Sequence, residues 1–384
     1  MEVTQVHQFV NTATSEALGV ENPVNEDLSN IVDVGDSIFN AQAFDKYVKA
    51  LVNHIGKVIF VNRPYRGSAP SVLMDAWEYG SVVEKISSEL PDAVENESWE
   101  LTDGASYDPN VFHQPQVEAK FFNKMTTFEI DRSITERQVR QSFSSATQLN
   151  AFVSMLFNEV EKSLTVKNDS LIMRTINNMI VETMYNAFNG GAITDAGTPK
   201  AVNLLSRYNT QYGTQLTAAQ AVLNPDFIRY AAYTMALYVD RLTRMSTLFN
   251  VGGKQRFTPK DLQHIVMLSE FRAAADVFLQ SNTFHDEYTK LVNAETVPFW
   301  QGSGTDYAFT NTGKIDAVSS SGHTQTVTGV LGCIWDRDAL GVMNFNSRVT
   351  TQYNAKAEFT NYFYKRDARY FNDLNENFVV FYAA

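Results

Sequence analysis

Between Leu149 and Ala187, apolar and small side chains recur at steps of three and four: Leu149, Phe152, Val153, Leu156, Phe157, Val160 and Leu164, then Ile172, Ile176, Met179, Ile180, Thr183 and Ala187. This spacing lines one face of an α-helix. Roughly 45 helical residues, at about 1.5 Å each, would run on the order of 65 Å if unbroken, longer than a small domain is wide. The polar triplet Asn168-Asp169-Ser170 reads as a bend or as a second helix start, and Gly190-Gly191 as the stop. A coiled coil is the competing architecture, but the spacing drifts from strict heptads and aromatic residues intrude.

The last third of the chain has a different grammar. Val327, Val330, Leu331, Ile334 and Trp335 form an apolar, β-branched run, followed by a polar turn at Asp336-Arg337-Asp338 and extended stretches at Arg348 to Tyr353, Ala357 to Tyr364 and Phe378 to Tyr382. Aromatic side chains alternating with charges such as Lys365, Arg366, Asp367 and Arg369 suit a long twisted sheet with one face packed and the other wet or contacted by another chain. Helix and sheet together give an α+β fold. The 384 residues exceed one average domain but contain no Pro/Gly-rich linker, so two interleaved subdomains are expected. Charged residues are 19% and aromatics 12%, a balance that favours extensive interfaces over a free monomer.

Residues 1 to about 50 carry scattered apolar positions among Asn, Ser, Thr and Asp, with helical spacing read only from about Gln42 to His54. They read as an arm ordered by lying on something else, or as a disordered leader. Val58 to Val61 is a strand candidate. Two further strand-like runs, Ser81 to Ser87 and Val117 to Ile130, flank an acidic, turn-rich middle that cannot bury itself as a core. The middle is either a solvated loop or the tip of a projecting hairpin that offers Trp99, Leu101, Tyr107, Val111 and Phe112 to a neighbour. Ser133 with Glu136 reads as a capping box opening a helix. Asn224-Pro225-Asp226 opens another, running through Phe249 to Gly252-Gly253. His264 to Leu268 reads as an apolar strand and Ala273 to Leu279 as helix, in an α/β subdomain whose sheet continues at Tyr307 to Val318 and Val327 to Trp335.

Nothing positive supports catalysis. Gly302-Ser303-Gly304 lacks the Lys-Ser/Thr of a nucleotide loop. His285-Asp286-Glu287 would point in different directions on a helix, which argues against a metal site there. His323 reads as a turn residue and His264 as a sheet residue. No metal or cofactor is implied. The one cysteine, Cys333, lies in an apolar run and reads as a buried inert thiol, which excludes disulfides within the chain. A net charge of -12 argues against binding duplex DNA through its phosphates. No apolar run approaches bilayer length, and Met1-Glu2-Val3 opens without a basic region and apolar core, so no membrane partner and a reducing cytosol are expected.

Two blocks of sequence carry a resemblance. The first is Asp338 to Met343, Arg348-Val349-Thr350-Thr351-Gln352, Phe363-Tyr364-Lys365 and Asp367 to Leu374, with Val379 and Val380 beyond; the second runs from Thr258-Pro259-Lys260-Asp261-Leu262 to Val297-Pro298-Phe299-Trp300-Gln301-Gly302-Ser303-Gly304. Together they resemble major capsid proteins of tailed bacteriophages, on the short-tailed branch. The resemblance implies the Hong Kong 97 capsid fold: an N-terminal arm (1–50), a peripheral strand and extended loop (51–132), a peripheral subdomain with a spine helix (133–190), an axial subdomain (191–340) and C-terminal peripheral strands (341–384). It implies a non-enzymatic shell subunit located in the virion and assembled in the bacterial cytoplasm. Its partners would be itself in hexamers and pentamers, a separate scaffolding protein, a portal, and double-stranded DNA enclosed without specific binding. Trp99, Leu101, Tyr107, Phe112, Tyr362, Tyr364, Tyr370 and Phe371 are the candidate intersubunit contacts. A portal or tail subunit, or an enzyme with a divergent site, is the alternative.

Overall fold

A computed structural model describes residues 3–41, 43, 44, 46–51, 69–74, 83–88, 91, 93, 95–110, 112–193, 197–280, 294–301, 312–319 and 321–384. The chain alternates between two compact units. The first is Met1–Trp77, Met125–Arg174 and Val342–Arg369; the second is Glu78–Lys124, Thr175–Gly341 and Tyr370–Ala384. The hairpin of residues 78–124 groups with the second unit, the block 133–190 divides at Arg174, and the block 341–384 divides at Arg369.

The first unit holds a four-stranded sheet in the order Leu73–Met74, Leu340–Asn354, Phe359–Asn372, Met125–Thr135. The last two strands pair antiparallel from Phe359 opposite Thr135 to Arg369 opposite Met125. One apolar cluster gathers Tyr362 and Tyr364 from this sheet with Leu149, Val153 and Val160 of the long helix. The same cluster contains Val6, Phe9, Val10 and Ala13 of the Val3–Leu18 helix and Ile31, Val34 and Ile38 of the Ile31–Asn40 helix. Helical spacing was expected only from about Gln42, whereas two helices, Val3–Leu18 and Ile31–Asn40, precede it and place apolar side chains in this cluster. Gly35 sets how close the second of these helices comes, since a Cβ there would lie 2.7 Å from that of Phe143.

The helix start expected at Ser133 is also corrected. Ser133 belongs to the Met125–Thr135 strand, where its hydroxyl donates to Asn361 Oδ1 at 2.5 Å. The cap is Thr135, whose side chain accepts from Gln138 N while Gln138 returns a bond to the Thr135 amide, and the helix runs Glu136–Ser142. The long helix spans Ala146–Ala187, 42 residues, about 63 Å at 1.5 Å each. It passes through Asn168-Asp169-Ser170 without a break. Beyond its end Gly190 takes φ +71 and donates to Tyr185 O at 2.8 Å, as a helix-closing glycine does.

The second unit is built on a five-stranded sheet in the order Ala201–Asn203, Phe378–Tyr382, Val330–Asp336, Gln263–Leu268, Glu295–Val297. All seven residues of the central Val330–Asp336 strand are buried, as its continuous apolar run requires. The Phe378–Tyr382 strand, expected among the peripheral C-terminal strands, pairs here instead, with Trp335 opposite Phe378. Trp335 stacks on Phe378 at 5.6 Å and on His264 at 5.0 Å. Ile315–Val318 and Thr324–Val327 form a separate two-stranded hairpin and do not extend this sheet. Asn224 caps the Pro225–Leu242 helix, accepting from the amides of Asp226 and Phe227. That helix ends at Leu242, short of the expected Phe249, and the chain turns back through a bridge between Ser246 and Arg256.

Candidate assembly surface

The acidic middle is the tip of a hairpin whose stem is Val83–Ser88 against Val117–Phe122, antiparallel from Val83 opposite Phe122 to Ser88 opposite Val117. The expected single run Val117 to Ile130 breaks at residues 123–124. Its first half joins this stem, and its second half joins the sheet of the first unit.

The stem register sets Lys85 directly opposite Lys120, a like-charge pair that destabilises a hairpin on its own. Two buried acids resolve it. Lys85 Nζ lies 2.9 Å from Asp373 Oδ2 and 2.6 Å from Glu376 Oε1, and Lys120 Nζ lies 3.2 Å from Asp373 Oδ1. Arg256 Nε reaches Glu376 at 3.3 Å, and Lys254 Nζ reaches Glu118 at 3.4 Å. The Asp373 side chain is 1% exposed. Burial works against its charge, yet Lys85 and Lys120 hold its carboxyl below the usual range. Burial likewise works against the Lys85 ammonium, but Glu376 and Asp373 keep it above its usual range. Phe122 adds an apolar contact to Phe371, ring centres 5.2 Å apart. The hairpin stem is thereby pinned to the second unit by charge and packing together.

Beyond the stem the character reverses. Trp99, in the turn Glu97–Trp99, is 95% exposed, and Phe112 is 82% exposed. Leu101 and Tyr107 are exposed as well. The backbone around them is tied locally: Thr102 N donates to Tyr107 Oη at 3.2 Å, Ser98 N to Asn96 Oδ1 at 2.8 Å and Asn110 N to Asp108 Oδ1 at 2.9 Å. Gly104 supplies the positive φ, +82, that the turn needs. Large apolar side chains held on polar turns and uncovered by their own chain mark a contact surface.

The C-terminal candidates divide differently. Tyr362 and Tyr364 are buried in the first unit's core cluster, because the two-residue period of a strand sends both to its inner face. Burial pushes the Tyr364 phenol upward in pKa. Phe371 is buried against the hairpin stem, and Tyr370 is half-buried. The side chains of Tyr362, Tyr364 and Phe371, candidates for intersubunit contact, are buried within the subunit.

His323 does sit in a turn, but its Nδ1 lies 3.0 Å from Glu182 Oε2, and its ring stacks on Tyr185 at 3.9 Å. Glu182 also accepts from the Ser319 hydroxyl at 2.5 Å and the Ser321 amide at 3.1 Å. Burial opposes its charge, but Ser319, Ser321 and His323 hold its carboxyl below the usual range. Neither this latch nor the stem network left a signal in the sequence, since Lys85 and Glu376 are 291 residues apart and Glu182 and His323 are 141 apart. Residues 58–61, 285–287 and 302–304 lie outside the described residues. Among the described residues no group of three or more His, Cys, Asp or Glu could hold a metal ion, and no helix is long and apolar enough to cross a membrane. Cys333 is buried, and burial raises its thiol pKa.

Residues 9–382 match the family described as Phi29-like phage major capsid protein. A chain of the capsid structure of Staphylococcus phage Andhra is 11% identical with a TM-score of 0.52, the match covering 83% of this chain and 85% of that one. A chain from the structure of the head fiber and inner core protein gp22 of native bacteriophage P68 is 9% identical with a TM-score of 0.50, covering 82% of this chain and 83% of that one. At such identities the likeness is one of fold. No curated protein matches the sequence. With nearly its whole length inside the family, the chain belongs to the Phi29-like phage major capsid proteins and is a structural protein, not an enzyme, that forms the phage head shell.

Proposed function

We infer that the hairpin tip is the contact each subunit makes on its neighbour as the shell closes from pentamers and hexamers. The observation that carries this is the pairing of opposites in one element: a stem fixed by Asp373 and Glu376, and a tip that leaves Trp99, Leu101, Tyr107 and Phe112 open to solvent. A fixed stem presents those side chains without the entropy cost of ordering a loop on contact. The subunit is of the Hong Kong 97 type, with the hairpin as its extended loop. The phage is of the short-tailed kind. The shell encloses double-stranded DNA without gripping it, in keeping with a net charge of -12. A portal and a separately encoded scaffolding protein take part in assembly in the host cytoplasm.

Deleting residues 89–107 tests the central point. The unassembled protein should keep a single cooperative unfolding transition, because the described residues of this stretch include exposed Trp99, Leu101 and Tyr107 and none of the buried core, while sedimentation should detect no shells. Loss of cooperative unfolding would place the tip in the core, and shells in normal yield would remove it from the contact.

A further inference from the structure

The stem of the hairpin has its polarity reversed. Cross-strand partners in a two-stranded ribbon share a face, and successive residues alternate between the two faces. One face holds Lys85 opposite Lys120 and Ser87 opposite Glu118; the other holds Glu84 opposite Phe121, Ile86 opposite Ala119 and Ser88 opposite Val117. The first face is turned to the subunit's own charges, Lys85 and Lys120 to Asp373 and Glu118 to Lys254. The second is turned to water, with Ile86 66%, Val117 62% and Phe121 62% exposed. An antiparallel ribbon that served only its own subunit would be built the other way round, apolar side in and charged side out. Here ion pairs fix the stem to its unit, and the apolar face is left over for another surface.

We propose that this outer face of the stem is an interface covered by a second copy of the chain. The contact rests on the reading of the hairpin as the intersubunit element and extends it from the tip along the stem. Three observations select this occupant. The chain builds the head shell, so copies of itself are the surfaces that every subunit meets. The face carries a single charge, Glu84, and no lysine or arginine, so nothing on it pairs with the phosphates of enclosed DNA. It is also continuous with the tip: residues 113–116, between the exposed Phe112 and Val117, are all exposed. Six residues at about 3.3 Å each make the stem a strip on the order of 20 Å long, with Ile86, Val117 and Phe121 as its anchors. Nearly uncharged and apolar, it suits the desolvated centre of a contact whose rim is the acidic tip.

The test is photocrosslinking from the face itself. p-Benzoylphenylalanine in place of Phe121 keeps an aromatic side chain there and, irradiated in assembled particles, bonds to whatever lies against it. The product should have twice the mass of the chain and contain peptides of this chain alone, and the irradiated unassembled subunit should give no such band. A product holding a different protein, or particles without any product, would overturn the proposal. The tip reading fails separately: shells in normal yield from the 89–107 deletion would remove the tip contact, and a Phe121 crosslink in those shells would leave the stem contact standing. The variant Ile86→Lys covers the case in which the larger ring blocks assembly. Because Ile86 faces water in the free subunit, the unfolding midpoint should match that of the unaltered protein, while particle yield should fall about tenfold, the factor set by about 1.4 kcal/mol per contact. Undiminished yield would overturn the proposal, and so would a lowered midpoint, which would make Ile86 part of the subunit's own packing.

Discussion

Asp373 shows how a single buried acid decides where an exposed element points. It lies between two lysines that face each other across the hairpin stem, and its carboxyl is held below the ordinary range. Protonation therefore costs the folded chain more than the unfolded one. The stabilisation is complete above the unfolded value of about 3.9 and is lost as pH falls through the lower folded value. Acid titration of the unassembled protein should release the stem from the second unit below about pH 4, detectable as increased proteolysis near Ser88 and Val117. Asp373→Asn should do the same at neutral pH and cost on the order of 2 kcal/mol, below a fully buried pair because both lysines are partly exposed. A hairpin equally protected at pH 3 and pH 7, or in the variant, would show that packing of Phe122 on Phe371 suffices. None of this was legible in the sequence, where Lys85 and Asp373 are ordinary charges nearly three hundred positions apart.

Elements were legible in proportion to how local their causes are. The long helix and its glycine stop follow from spacing alone. The Asn168-Asp169-Ser170 triplet looked like a break because polar residues favour caps, yet Asn168 is 2% exposed and the helix continues past it. The N-terminal helix was readable and missed: Val6, Phe9, Val10 and Ala13 stand at helical steps, obscured by the Thr, Asn and Ser on the opposite face. In the Phe359–Asn372 strand the alternation was foreseen, but which face is inner depends on the helices that cover it. Tyr362 is fully buried in that cluster, so Tyr362→Ala should cost about 3–5 kcal/mol of folding stability in thermal or denaturant unfolding. The half-buried Phe363, replaced by Ala, should cost clearly less. Equal losses at both positions would mean that the strand has no inner face.

For the whole molecule, the interleaving of two units was readable from the missing linker, but not where the chain crosses. The strand Phe378–Tyr382 looks like its neighbours in sequence and joins the other unit's sheet because Val330–Asp336 offers it a fully buried partner. The candidate contacts split along the same line. Those on turn-rich, acidic sequence stayed exposed because nothing there could build a core, whereas the buried ones on strands were taken up by cores that composition cannot locate. Assembly is expected to cover the hairpin tip and to leave the cores as they are. Hydroxyl-radical footprinting of the unassembled protein and of assembled shells measures this directly. Trp99, Leu101, Tyr107 and Phe112 should be strongly labelled in the free subunit and protected in the shell, with Tyr362 and Tyr364 unlabelled in both; a tip labelled as strongly in the shell as in the free subunit would contradict the account.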